Sequence, residues 1–321
     1  MTRLLDPGSI PTSLWDANTQ VLSIPGHLAT AYIDTVDSRG IRHLLLNLEA
    51  KNDDGPIGGG SREETERHFV NRMDGSVARV LLALLDPRNE LDASSDTLIS
   101  PFSGGVTCVT DVPCGAGAGV LSILSSIAVL RESGVLPRIP LNVHLVAADI
   151  SSHATDLANE MLDRIRQSLA DQAIHVEVEW IVWDATDTAS NTNLVRRAVI
   201  ASSVSSKKLL LVANFSGFLS QPGKRRQVDP QLEELFRYLA GENSLALWLE
   251  PDSKAVSSGG ALFSWLIREA RSRWAWFAKI SDLLSDEDSG FCSRARFNSI
   301  LRGGLARVAT RVVPVNLRVQ E

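Results

Sequence analysis

The chain has 321 residues, 44% of them hydrophobic and 22% charged, proportions of an ordinary globular protein with an ample core. A formal net charge of −6 argues against nucleic-acid binding spread over the whole surface, and three cysteines, Cys108, Cys114 and Cys292, are too few and too scattered for a disulfide framework or a zinc site. No segment approaches the roughly 20 uninterrupted apolar residues that span a bilayer, the opening MTRLLDPGSIP has no apolar leader core, and the six histidines form no close ligand pair, so the expectation is a cytoplasmic protein with no membrane contact and no metal.

The first element predicted along the chain is a β-hairpin in AYIDTVDSRGIRHLLLNLEA, with residues 31–36 and 41–48 as strands around the Asp37-Ser38-Arg39-Gly40 turn. KNDDGPIGGGS reads as a loop. Ser61-Arg62-Glu63-Glu64 then fits a capping box, in which hydroxyl and carboxylate satisfy free N–H groups at a helix start. A helix is expected to about Met73 and a second from Ser76 to Leu85. Polar DPRNELDASSDT ends this region as a connector, so residues 1–100 read as an α+β cap over one mouth of a second unit, residues 101–321.

From residue 105 apolar runs alternate with helical patterns, which predicts a parallel sheet covered on both faces. The strands are GVTCVTD ending at Asp111, NVHLVAAD ending at Asp149, VEVEWIVWD ending at Asp184, KLLLVAN ending at Asn214 and SLALWLEP with Glu250 near its end. The clearest helix repeats Ala154, Leu157, Ala158, Met161, Leu162, Ile165 and Leu169 at three- and four-residue steps. Others are expected over 118–133, around 194–201, in PQLEELFRYLAG with Pro230 in its first turn, and in GALFSWLIREARSRW. RVATRVVPVNLRV closes the series as a strand that Pro314 keeps from a central position. In an open parallel sheet ligands sit beyond the carboxyl ends of the strands, so the five polar strand ends are expected to line one cleft.

The richest stretch is GVTCVTDVPCGAGAG, residues 105–119, where an apolar run ends in an acid and passes into Gly115, Gly117 and Gly119. Glycine lets the backbone turn tightly and present N–H groups to a ligand at the helix start. A dinucleotide fingerprint, GxGxxG, would need its third glycine at position 120, which is Val120, and a P-loop would need a GKS or GKT that is absent. DVPCGAGAG resembles the first motif of the class I S-adenosylmethionine-dependent methyltransferases, and the order of elements over about residues 105–280 agrees with it. The resemblance implies a Rossmann-like, doubly wound, mostly parallel sheet with S-adenosylmethionine as cofactor.

On that resemblance, Asp111, Pro113, Cys114, Gly115, Ala116 and Gly117 form the cofactor loop, with Asp111 holding it or reaching the methionine amino group. Asp149, beside Ile150, binds the ribose hydroxyls, and Asp184 with Ala185 meets the adenine. Asn214 and Phe215 stand where amino-group methyltransferases of nucleic acids carry Asn or Asp, two prolines and an aromatic; both prolines are missing, which argues against N6-adenine or N4-cytosine methylation. Asn214, Asp187 and Glu250 are the catalytic candidates, the two carboxylates as general bases. The acceptor is RNA or a small molecule. HFVNRMDGSVARVLLAL, LWLEPDS and FSWLIREAR also look like pieces of the mitochondrial small-ribosomal-subunit methyltransferase-like family, whose cysteine cluster is absent here. Two alternatives stand beside this: a methyltransferase-like scaffold acting through RNA or protein contacts, and a nicotinamide-dependent oxidoreductase, which the early third glycine disfavours. The arginine-rich end of the chain, with Arg294, Arg296, Arg302, Arg307, Arg311 and Arg318 against Glu321, offers an RNA contact.

Overall fold

A computed structural model describes residues 3–45, 60–91, 94–252 and 291–316. In chain order its main elements are β1 (Trp15–Asp16), β2 (Val21–Leu22), α1 (Gly26–Ser38), α2 (Arg62–Leu85), α3 (Ser94–Ile99), β3 (Gly105–Asp111), α4 (Ala118–Glu132), β4 (Leu141–Asp149), α5 (Ser152–Ala170), β5 (Ile174–Val182), α6 (Thr188–Ser202), β6 (Lys207–Ala213), α7 (Ser216–Leu219), α8 (Lys224–Leu239), β7 (Ser244–Pro251), β8 (Phe291–Asn298) and β9 (Leu305–Asn316).

The strands form one sheet in the order β1-β2-β8-β9-β7-β6-β3-β4-β5. Its heart, β5-β4-β3-β6-β7, is parallel throughout, with β3 in the middle and aligned to both neighbours: Val109 lies opposite Leu145 on one side and Leu209 on the other. The chain builds outward from β3 through β4 to β5, then crosses to build β6 and β7 on the other side. The carboxyl ends of β3 and β6 therefore flank a topological switch point. Strand period explains why the sheet needs helices on both faces: in β6, Leu209, Leu211 and Ala213 join the core under α2, α4 and α5, while Leu210 and Val212 join the core under α6 and α8. The architecture is the Rossmann-like, doubly wound, mostly parallel α/β fold.

Several local expectations change. Residues 31–38 belong to helix α1, not to a hairpin strand, because Leu28, Ala31, Tyr32, Thr35 and Val36 repeat at helical spacing and are all buried. The supposed turn is the helix end: Gly40 takes φ +66, and Ile41 N–H closes onto the Val36 carbonyl at 3.1 Å. Residues 42–44 form a 3-10 turn, and residues 46–48 lie outside the described part of the chain. The two helices expected over 61–85 are the single helix α2, which runs through Gly75. Helix α8 begins at Lys224 after Gly223, at φ +79, so Pro230 falls inside it rather than in its first turn.

The last strand, β9, is interior. It pairs antiparallel with β8 over Leu305–Val312 and with β7 over Thr310–Asn316, so it lies between them over Thr310–Val312, and Pro314 is accommodated because the pairing with β8 ends at Val312. Strand β8 was not expected from the sequence, and β2 extends the sheet by pairing parallel with it. The helix read in GALFSWLIREARSRW lies outside the described residues.

Candidate functional site

The turn from β3 into α4 forms the floor of a cavity of about 330 Å³ at the switch point. Gly117 caps α4 at φ +80, and a Cβ there would come within 2.8 Å of Leu121 and 3.2 Å of Ala158. Gly119 has an ordinary backbone and a different reason: a Cβ would meet Leu211 at 2.8 Å and the Asp111 carboxylate at 3.1 Å, so only glycine brings the helix start against the end of β3. The turn is pinned to the sheet by Cys114 N–H on the Ala148 carbonyl, 2.9 Å.

Two carboxylates flank this loop. Asp149, at the end of β4, accepts Gly115 N–H on Oδ2 and Ser151 N–H on Oδ1, both at 2.9 Å. Burial raises its pKa, and the backbone donors oppose the rise. Asp111, 1% exposed, accepts Val120 N–H on Oδ2 at 3.2 Å, while its Oδ1 is buried with no partner. Burial pushes its pKa up to about 7; the Val120 donor opposes this and the nearby charge of Asp149 adds to it. Both line the cavity, together with Pro113, Cys114, Gly115, Ala116 and Ile150. Ile150 is half exposed, as an apolar side chain facing a cleft should be. Gly117 stands behind, as the hinge of the turn.

The opposite wall is α2. Thr65, His68, Phe69, Arg72, Met73 and Ser76 recur every three or four residues along one side of this helix and all face the cavity. Thr65 and Ser151 share a hydroxyl hydrogen bond at 3.0 Å, which ties the wall to the floor. Enclosure holds the His68 imidazole below its ordinary pKa, and the charge of Arg72 adds to the effect. None of these residues was singled out in the sequence; their common spacing, which the apolar pattern of α2 conceals, was the one signal that could have found them.

The third side is the segment after β6. Asn214, at φ +57, and Phe215 line the cavity with Trp183, Ala185 and Phe218. Phe215 packs against Trp183, Phe218 and Trp248, with centroids 6.1, 5.4 and 6.3 Å away. The Asn214 Oδ1 accepts from the Arg79 guanidinium, reaching across from α2.

Three of the five polar strand ends, Asp111, Asp149 and Asn214, therefore meet in one cleft. Glu250 does not: it is wholly buried, and Oε1 accepts Phe215 N–H at 2.9 Å, Ser216 N–H at 2.8 Å and Trp248 Nε1–H at 2.7 Å, while Oε2 accepts Ser216 Oγ–H at 2.6 Å. That carboxylate fixes the loop bearing Asn214 and has no free face. Asp184 turns back on Thr186, accepting its N–H and hydroxyl at 2.8 and 2.7 Å, and leaves the cavity wall to Trp183 and Ala185. Asp187 is exposed and caps α6 by accepting Ala189 and Ser190 N–H, both at 3.2 Å. The two residues expected as bases are thus structural anchors placed outside the cleft.

No protein-family model and no curated protein matches the chain. Among solved structures it is similar to a candidate S-adenosyl-L-methionine-dependent methyltransferase from Methanococcus maripaludis, at 12% identity over 78% of this chain and 94% of the other, with a TM-score of 0.27. The resemblance to the mitochondrial small-ribosomal-subunit methyltransferase-like family finds no support in these comparisons. The likeness is slight, and the site geometry carries the functional reading.

Proposed function

We propose that the chain is an S-adenosylmethionine-dependent methyltransferase with its cofactor on the Gly115–Gly119 loop. The observation that carries this is the pair of carboxylates on either side of the loop, one of which, Asp111, has a buried oxygen without a partner. A cationic amino group within reach would ionise Asp111 and satisfy that oxygen. Asp149 has about four lone-pair sites and gives two of them to the backbone, which leaves acceptors for a cis-diol. Ile150, Trp183, Ala185 and Phe215 supply apolar surface for a purine. A cavity of about 330 Å³ lies within the small-molecule range. The sheet also departs from the dinucleotide-binding order, since the strand after the fifth parallel one is antiparallel β9.

When bound, S-adenosylmethionine supplies a methyl group on a sulfonium, ready for a single in-line displacement. The protein's part is to place the acceptor and remove its proton. Asn214 gives its oxygen to Arg79, so its amide N–H groups are the part left to orient an acceptor. His68, which lines the cleft and whose imidazole is held below its ordinary pKa, is the side chain suited to take the proton, in place of Asp187 and Glu250. The acceptor is RNA or a small molecule.

Titration calorimetry with S-adenosylhomocysteine tests the cofactor assignment. Wild type should bind, and Asp149→Ala should bind about 10- to 100-fold more weakly, the worth of a charge-assisted hydrogen bond. Binding of NADH without binding of S-adenosylhomocysteine would overturn the assignment.

A further inference from the structure

A second cavity, of about 500 Å³, opens between α2 and the carboxyl end of β7. Among the described residues Arg79, Arg88, Arg294, Arg296 and Arg307 line it, against one lining acid, Asp252. The chain carries 38 acidic and 32 basic residues, so this concentration of cations is not a by-product of composition.

The strand register shows which charges lack relief. Arg296 of β8 stands directly opposite Arg307 of β9, a cross-strand placement in which like charges repel. Asp252 is committed to their neighbours, pairing with Arg294 at 2.8 Å and Arg311 at 3.2 Å. Among the described residues the Arg296 side chain finds only the neutral Thr19 carbonyl, at 2.7 Å, and the Arg307 side chain has no hydrogen bond or ion pair. Arg88 pairs with Glu90 at 2.9 Å and leaves its buried Nε without a partner. Arg302, by contrast, is spent on Asn71 at 2.7 Å and lies outside the cavity. A repulsive pair kept beside unused guanidinium donors is a local cost that a bound anion removes, and guanidinium forks suit phosphate oxygens.

The two cavities touch through Arg79, which lines the second and donates to Asn214 of the first. We infer that the arginine cavity binds a phosphate-bearing ligand and that this ligand is the methyl acceptor, held by its phosphate so that its reactive atom passes Asn214. The assignment as acceptor rests on the methyltransferase reading; the phosphate site does not.

Equilibrium dialysis at low salt, with no methyl donor present, tests the site. The probes are inorganic tripolyphosphate and hexauridylate. At least one should bind wild type. Arg296→Glu and Arg307→Glu, both on the surface, should each weaken binding about tenfold or more and lower the salt slope by about one, while Arg237→Glu on the far helix α8 should change neither. Hexauridylate binding at least tenfold tighter than tripolyphosphate identifies an RNA backbone as the source of phosphate; the reverse identifies a small phosphorylated acceptor. Failure of both probes, or unchanged binding in the Arg296→Glu/Arg307→Glu variant with a native circular dichroism spectrum, overturns the site. Tripolyphosphate binding without S-adenosylhomocysteine binding would overturn the donor reading and leave the phosphate site standing.

Discussion

Asp111 is a carboxyl group at the cavity floor almost wholly withdrawn from water, and its titration should be visible in the stability of the whole protein. With a folded pKa of about 7 against an unfolded value near the ordinary carboxylate range, the native state holds one more proton than the unfolded state between those limits. Its contribution is favourable at low pH and is lost as pH rises through that window, with a slope of up to about 1.4 kcal/mol per pH unit. Urea unfolding from pH 5 to 8 should show Asp111→Asn flatter over that window than wild type and more stable at its upper end, because the amide keeps an acceptor for Val120 N–H and adds no charge. An equally steep decline in the variant would remove Asp111 as its source. At this scale the sequence was most legible where chemistry is contiguous: the acid, the turn and the helix start lie within fifteen residues. It was least legible at Glu250, where a strand-end carboxylate that could have faced the cleft instead collects four donors, three of them from residues about 35 positions away.

Helix α2 joins the two halves of the proposed site. One side of it walls the glycine-loop cavity through residues 65–76, and Gly75 and Arg79 line the arginine cavity. Its start is held by Ser61, whose hydroxyl accepts Glu64 N–H at 3.2 Å. Ser61→Ala should cost about 1 kcal/mol and speed hydrogen exchange in the first turn of α2 while leaving its buried second half protected. Uniform loss of protection along the helix would show that the cap governs more than its own turn. The capping signal was readable because it is local. Helix α1 was misread because Ile33, Thr35 and Val36 carry β-branched side chains and the Asp37–Gly40 segment imitates a hairpin turn, whereas the helical period of its buried residues, 28, 31, 32, 35 and 36, points the other way. The contact of Arg79 with Asn214 spans 135 residues and has no sequence signature.

Across the whole molecule, β9 changes what counts as the edge of the sheet. Backbone groups from Thr310 to Val312 are paired on both sides, by β7 and by β8, so their amides should exchange with solvent as slowly as those of β3 and β6, and far more slowly than those of the two-residue edge strand β1. Exchange measured by NMR or mass spectrometry checks this; rapid exchange at Thr310–Val312 would mean that the sheet ends at β7. The central parallel order was legible because each strand carries its own apolar run. Strand β8, FCSRARFN, was not, since it alternates arginines with small and aromatic residues and becomes a strand only when β9 and β2 take up its two edges.

That pairing of β2 with β8 sets a timetable for the newborn chain. Thr19, beside β2, is 277 residues before Arg296, its hydrogen-bond partner in β8. At ordinary rates of synthesis the first strand pair waits on the order of tens of seconds for its neighbour to be made. During that interval the parallel core from β3 to β7 can form with the side of β7 still open, an adhesive surface that the arrival of β9 and β8 then covers. Strands β8 and β9, made after the parallel core, thus extend the sheet, bring the opposed arginines together, and give β2 its neighbour.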